Sequence, residues 1–204
     1  MARNRDPFSH ALQTLRGLAV DGVFSPDRPI VILDAAHRLH LSTTPVREAL
    51  AWLGGEGMIE RSPNGGYTGL RQDATSVSGR YRLRLVLITA ALHEPRQTLN
   101  GWIPPVETSF QDILAALVRL GGDDVLWRAY DRVARQLMWL ANAEAAVIPE
   151  FDRQVETLRD LISGEHRELI EALESIHRTL AAHSAAILLA ARRPELVSDA
   201  SRDS

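Results

Sequence analysis

Residues 41–70 read LSTTPVREALAWLGGEGMIERSPNGGYTGL, and the fold is decided by how this stretch is divided. Thr44 is a good N-cap, and Pro45 suits the first helical position, where its missing N–H costs nothing. Val46, Ala49, Leu50 and Leu53 recur at helical spacing as one apolar stripe, which leaves Arg47 and Ala51 on the other side. Gly54, Gly55 and Gly57 are poor helix interior and good terminators. Two short extended runs follow, separated by Pro63-Asn64-Gly65-Gly66. Asn-Gly is the strongest short hairpin signal, because both residues tolerate positive φ.

Working outward, Phe8, Leu12, Leu15 and Leu18 space a helix from Pro7 to about Asp21. GVFSPDRPIVI, residues 22–32, carries a glycine and two prolines and reads as a loop running into a short extended segment. Asp34 is placed to cap a short helix that ends near His40. Only a few residues separate that helix from the next, the linking length of a helix-turn-helix. With the hairpin attached, residues 1–73 are expected to form a winged helix-turn-helix of three helices and a β-hairpin wing.

Past QDATSVSG, residues 72–79, taken as a linker, the pattern changes to long helices. Leu83, Leu87, Ala90 and Ala91 mark one, interrupted at NGWIPP. Phe110, Ile113, Leu114, Leu117 and Leu120 mark a second that ends at Gly121-Gly122. A third spans Asp124 to about Val147, a fourth Phe151 to Ile162, and Glu165 to Arg193 is one long helix or a broken pair. Trp127 and Trp139 read as core rather than pocket lining. With no strand signal, residues 74–204 are expected to be an all-α bundle, and the whole chain mainly α.

The totals narrow the chemistry. Among 204 residues there is no cysteine, which excludes disulfides, thiolate metal sites and cysteine nucleophiles and fits a reducing cytoplasm. All 23 basic residues are arginine, so lysine-based Schiff-base and phosphate-loop chemistry is excluded, while bidentate recognition of phosphate and guanine remains. Residues 1–72 carry eight arginines against seven acids, and residues 73–204 carry fifteen against nineteen. Nucleic-acid binding by the first part therefore depends on placement rather than bulk charge, and on two copies acting together. The longest apolar runs fall short of the roughly 20 residues that a membrane-spanning helix needs. No signal-peptide pattern is read at the N-terminus, so no membrane partner is expected. No nucleophile elbow, phosphate loop or zinc-protease motif is present, so an enzyme is not expected.

A helix N-terminus offers free N–H groups and a partial positive charge to phosphate. An arginine in the first turn, turned away from the apolar stripe, reaches guanine O6 and N7 with two hydrogen bonds. Arg47 is the candidate base reader. Ser42, Thr43 and Thr44 supply short hydroxyls that hold register on phosphate oxygens.

TPVREAL and EGMIER, with the glycine-bearing hairpin, resemble the winged-helix signature of GntR-family bacterial transcription regulators over residues 8–72. The resemblance implies DNA-contacting roles for Ser42, Thr43, Thr44 and Arg47, and a wing tip at Asn64, Gly65 and Gly66. An arginine is frequent in the family where Thr43 stands, and a glycine where His40 closes the turn; histidine tolerates left-handed geometry better than most residues. The helical part resembles a shortened, divergent form of the effector domain of the FadR-like (FCD) subgroup. That resemblance implies a divalent-metal site at Asp124, His166 and His183, and an effector site at Arg84, Arg128 and His166, with a small organic acid as the typical ligand. In DVLWR, however, Arg128 stands in place of a metal-binding histidine. On one straight helix, moreover, His166 and His183 would lie about 25 Å apart. The metal site is expected to be degraded and no cofactor is expected. Arg128 can instead clamp a carboxylate.

The expectation is a cytoplasmic, ligand-responsive repressor that binds a palindromic operator in double-stranded DNA as a homodimer. The alternative is a constitutive DNA-binding dimer whose reduced helical domain no longer takes an effector.

Overall fold

A computed structural model describes residues 6–26, 28–93 and 104–192. The chain divides into two compact units, the first ending at Arg71 and the second beginning at Gln72. The fold class is mainly α, with one small antiparallel hairpin.

In the first unit, α1 (Pro7–Val20) begins with Asp6 accepting from the Ser9 N–H and Pro7 in its first turn. α2 (Ile32–Leu39) starts before Asp34, so Asp34 does not cap it. Val31 takes the capping position without a side-chain bond, and Asp34 instead places its charge in the first turn, where the helix dipole favours an acid. His40 closes α2 in the left-handed region at φ 53°, as its residue type allows. The His40 and Leu41 N–H groups turn back onto the His37 and Ala36 carbonyls.

α3 (Thr43–Gly55) begins two residues earlier than Thr44-capping requires. Ser42 stands at its N-cap with no side-chain cap bond, and Pro45 is its third residue. That position still lies in the first turn, where a missing N–H sacrifices no intrahelical bond. Val46, Ala49, Leu50 and Leu53 are wholly buried and share a core with Ala11 and Leu15 of α1. Glu56 accepts two bonds from the Arg16 guanidinium, at 2.8 and 2.9 Å, and one from Trp52 Nε1. The far end of α3 is thereby tied to α1.

β1 (Ile59–Arg61) and β2 (Tyr67–Gly69) pair antiparallel, Glu60 opposite Thr68. The loop before α2 adds an edge: Pro29 bridges to Thr68, and the Ile30 N–H donates to the Tyr67 carbonyl at 2.7 Å. Gly69 lies so close beneath this loop that a Cβ would overlap the Phe24 carbonyl.

The second unit is a helical bundle, with no strand among its described residues. QDATSVSG is not a linker. Residues from Ala74 on form the first turns of α4 (Ala74–His93). Asp73 and Ser76 exchange side-chain and backbone bonds as a capping box, which also holds the Asp73 carboxyl below the usual carboxylate range.

Of the residues that mark this helix, Ala91 is buried and Leu87 packs partly buried against the core, whereas Leu83 and Ala90 face outward. α4 buries Val77, Tyr81, Arg84, Ile88, Ala91 and Leu92, and Leu83 is 47% exposed. Apolar residues lie nearly all round this helix, so periodicity alone does not choose its inner face. The choice is made by its neighbours: α4 packs against α5 (Phe110–Leu120), α6 (Asp124–Leu137), α9 (His166–Ala182) and α10 (Ser184–Ala191).

The expected third helix is broken by a 3₁₀ turn at Met138–Leu140 before α7 (Ala141–Val147). The tighter turn changes the phase, so that Ala143 and Glu144 face inward. α8 (Phe151–Leu161) follows, and α9 and α10 are the broken pair, divided at His183. Most of NGWIPP, and the expected end of the last helix at Arg193, lie outside the described residues.

Gly69→Ala is expected to lower the stability of the winged unit by about 1–3 kcal/mol or more, read as an earlier denaturant midpoint of the full chain, because the new methyl has only backbone to displace.

Candidate nucleic-acid interface and helical-domain site

Burial of the α3 stripe fixes what remains outside: Arg47, Glu48, Ala51 and Trp52 are exposed. None of the ion pairs among the described residues involves Arg47. Ser42 and Thr44 are exposed and Thr43 half-buried, at the front of the same helix. Arg47 and the hydroxyls of residues 42 to 44 are thus presented from one helix end.

The wing tip is exposed through Asn64, Gly65 and Gly66. Positive φ falls on Gly65 and Gly66, at 87° and 77°, and not on Asn64. The Gly65 N–H closes a turn onto the Ser62 carbonyl and the Ser62 N–H donates to the Gly66 carbonyl, so the two glycines take the left-handed positions and Asn64 is a turn residue. The Asn64 N–H donates to the Ser62 hydroxyl.

In the helical unit the five candidates separate. Arg84 is wholly buried on the inner face of α4. Arg128 is exposed on α6, Asp124 is exposed in the first turn of that helix, and His166 is exposed at the start of α9, its ring edge-on to His93. His183 is exposed at the break between α9 and α10, with Nδ1 on the Thr179 carbonyl. The structure does not bring Asp124, His166 and His183 together as ligands: among the described residues no group of three or more His, Cys, Asp or Glu side chains is gathered for a metal. Nor do Arg128 and His166 join Arg84 in a common site, since both point outward from the bundle while Arg84 points in. Trp127 and Trp139 are half-buried against the core.

What surrounds Arg84 is a network that the sequence reading missed. Its Nε donates to His177 Nε2 at 3.1 Å and its Nη1 to Gln111 Oε1 at 2.9 Å. Gln111 Nε2 donates to Glu144 Oε2 at 2.9 Å, and the Tyr81 hydroxyl to Glu144 Oε1 at 2.8 Å. The guanidinium also faces the Tyr81 and Phe110 rings. His177 accepts on Nε2, so its proton sits on Nδ1, which donates to the Leu173 carbonyl at 2.8 Å.

Burial first, and the Arg84 charge second, push the His177 imidazole down to about 3. Burial also pushes the Tyr130 phenol up to about 12, and raises that of Tyr81 with the help of the Glu144 charge. Arg84 Nη2 and the Tyr130 hydroxyl are buried without a hydrogen-bond partner. The sequence did carry a signal for His177, which continues the inward stripe of Leu169, Leu173 and Leu180. Gln111 and Glu144 had none, one beside a core phenylalanine and the other in an alanine-rich run.

No protein-family model and no curated protein sequence matches the chain. Solved structures do. A transcriptional regulator GntR from Rhodococcus sp. RHA1 is similar over 89% of this chain and 97% of that one, at 18% identity and a TM-score of 0.65. E. coli McbR/YncC is similar over 88% of this chain and 97% of its own, at 16% identity and a TM-score of 0.63. The chain has the fold of these two proteins. No helix among the described residues is long and apolar enough to cross a membrane.

Within this fold the buried His177 makes stability depend on pH. Its folded pKa lies below the unfolded value of about 6.5, so the unfolded chain binds the extra proton, and stability is lost as pH falls from about 6.5 toward 3. In that window His177 is expected to contribute a loss of about 1.4 kcal/mol per pH unit. His177→Gln keeps an acceptor for Arg84 and removes the titration, so denaturant unfolding of this variant between pH 7 and 5 should show a flatter pH dependence than the parent.

Proposed function

We propose that the protein is a GntR-family transcriptional regulator of the FadR-like subgroup, a DNA-binding protein and not an enzyme. One observation carries this reading: Arg47 stands exposed and unpaired at the front of α3, followed in the chain by a hairpin tipped with Gly65 and Gly66. Arg47 is the fifth residue of α3, just past the first turn where the sequence puts it, and a free guanidinium near the front of a helix is suited to a guanine edge in the major groove. The Ser42 and Thr44 hydroxyls, that of Ser42 making no cap bond, are available for phosphate. Thr43 is assigned to the same phosphate-facing edge. Asn64, Gly65 and Gly66, with no bulky side chain at the tip, suit close approach of the wing backbone to DNA.

Two copies reading a palindrome supply the contacts that one winged helix lacks. The open face of α4, with Leu83 47% and Val86 59% exposed beside Ala90, supports self-association of the helical unit. The proposed mode of action is repression relieved or imposed by a small molecule, which changes how the two copies engage the operator. Arg84 is the residue of the expected effector set that lies inside the bundle, and it anchors the network through which such a molecule acts. The alternative without an effector is favoured by the same residue, because Gln111 and His177 already satisfy two of its nitrogens. A small molecule that shifts operator affinity separates the two readings.

Arg47→Ala is expected to weaken operator binding by about 1–3 kcal/mol and relax specificity at one base position, read by fluorescence anisotropy against DNA recovered from a genomic pull-down at physiological salt. Unchanged affinity would overturn the assignment. Leu83→Glu with Val86→Glu should convert the dimer to monomer in sedimentation velocity while leaving the helical circular-dichroism signal intact.

A further inference from the structure

A groove of about 380 Å³ opens among the start of α5, α7 and α8. That is within the range of small-molecule pockets, roughly 300–1,000 Å³. Its apolar wall is made by Phe110, Phe151 and Val155, the two rings meeting edge to face at 5.3 Å. Its charged lining is unequal: Glu144, Asp152 and Glu156 against Arg159. The Arg159 guanidinium donates through Nη2 to the Thr108 carbonyl at 3.0 Å, which holds it at the edge. Asp152 and Glu156, one turn apart on α8, are exposed.

Glu144 is different in kind, a carboxylate only 1% exposed. Its oxygens accept from the Tyr81 hydroxyl and the Gln111 amide, and none of the ion pairs among the described residues includes it. Each carboxylate oxygen has a second lone pair. A buried carboxylate held by neutral donors, lining a groove with two further carboxylates, is completed by a cation. An organic acid in the same place would face three carboxylates against one guanidinium.

We propose that this groove binds a small primary amine, its apolar body against Phe110, Phe151 and Val155 and its ammonium on Glu144, with Asp152 and Glu156 attracting it at the rim. The binding stands apart from any role in DNA recognition. Its regulatory consequence rests on the function proposed above: Glu144 and Gln111 lead directly to Arg84, so an ammonium on Glu144 acts on the hydrogen bonds that fix the inner face of α4.

The test is calorimetric titration of the full chain, without DNA, using four ligands of matched body: 2-phenylethylamine, phenylalanine, 3-phenylpropanoate and 2-phenylethanol. The amine is expected to bind at least tenfold more tightly than the other three, and its affinity to fall as salt rises. Glu144→Gln should lower amine affinity at least tenfold. Because Glu144 also holds Tyr81 and Gln111, the rim variant Asp152→Asn with Glu156→Gln, on exposed positions, provides a second readout and should lower affinity several-fold and flatten the salt dependence. Tightest binding of the propanoate, equal binding of all four, binding of none of them, or amine affinity unmoved by both variants would each overturn the proposal. Phenylalanine binding as tightly as the amine would overturn the preference for a simple amine over a zwitterion. An amine that binds to a chain with no sequence-specific DNA affinity would leave this inference standing and sink the regulator reading instead.

Discussion

Val46, Ala49, Leu50 and Leu53 are withdrawn completely from solvent on one face of α3, and that burial dictates where everything else on the helix points. One residue on from Val46 is about 100° around the helix, so Arg47 is carried outside by the same geometry that takes its neighbour in. The helix is secured along its back by Ala11 and Leu15, and at its far end by the two-pronged Arg16–Glu56 contact, to which Trp52 adds a third bond. Its front is left comparatively free, with the Ser42 side chain making no cap bond. A rigid back and an uncommitted front are what a reading surface requires, since an arginine already spent on an internal partner has to break that bond before it contacts anything else.

The helical unit solves a harder problem. Arg84 carries a permanent charge into the interior, at a desolvation cost of several kcal/mol that hydrogen bonds only partly offset. Its acceptors are a neutral imidazole and an amide oxygen, and the nearest carboxylate of the network, Glu144, is reached through Gln111. One nitrogen, Nη2, has no acceptor at all. A core selected for stability alone would fill this volume with apolar side chains. The arrangement instead links α4, α5, α7 and α9 through four polar groups in sequence, from Glu144 through Gln111 and Arg84 to His177.

How much of this was legible follows from where the information lay. In α3 the apolar stripe is narrow and its opposite face polar, so the pattern determined both the helix and the exposure of Arg47. The hairpin was marked by Asn64-Gly65-Gly66, although the left-handed conformations moved one residue along, because Ser62 and Pro63 start the turn earlier than an Asn-Gly pair alone would. The start of α4 was hidden by its own composition: Asp73, Thr75, Ser76 and Gly79 read as linker, yet the Asp73–Ser76 capping box makes them a helix start. Its inner face was only partly marked, by Ala91 and Leu87, because Leu83 and Val86 compete with Val77 and Ile88, and tertiary contacts decide between them. His166 and His183 were noticed because histidines carry chemistry, whereas His177, the one that is buried, was passed over. Its importance depends on Arg84, 93 residues away in the chain, and no local pattern expresses a contact of that range.

A regulator responds to a ligand only as far as the ligand binds its two states unequally. Contacts with side chains that hold the same position in both states contribute affinity without response. Asp152 and Glu156, exposed on α8, lie outside the Arg84 network, whereas Glu144 is joined through Gln111 to the guanidinium at the centre of the bundle. A cation on Glu144 shares the oxygen that Gln111 donates to, taking its second lone pair, and any shift of Gln111 that this brings is passed to an Arg84 that has few acceptors. Since α4 begins the second unit, two residues after the boundary at Gln72, this buried, incompletely satisfied arginine sits on the first helix of the bundle, where under the proposed function a small energetic input has the least far to travel along the chain.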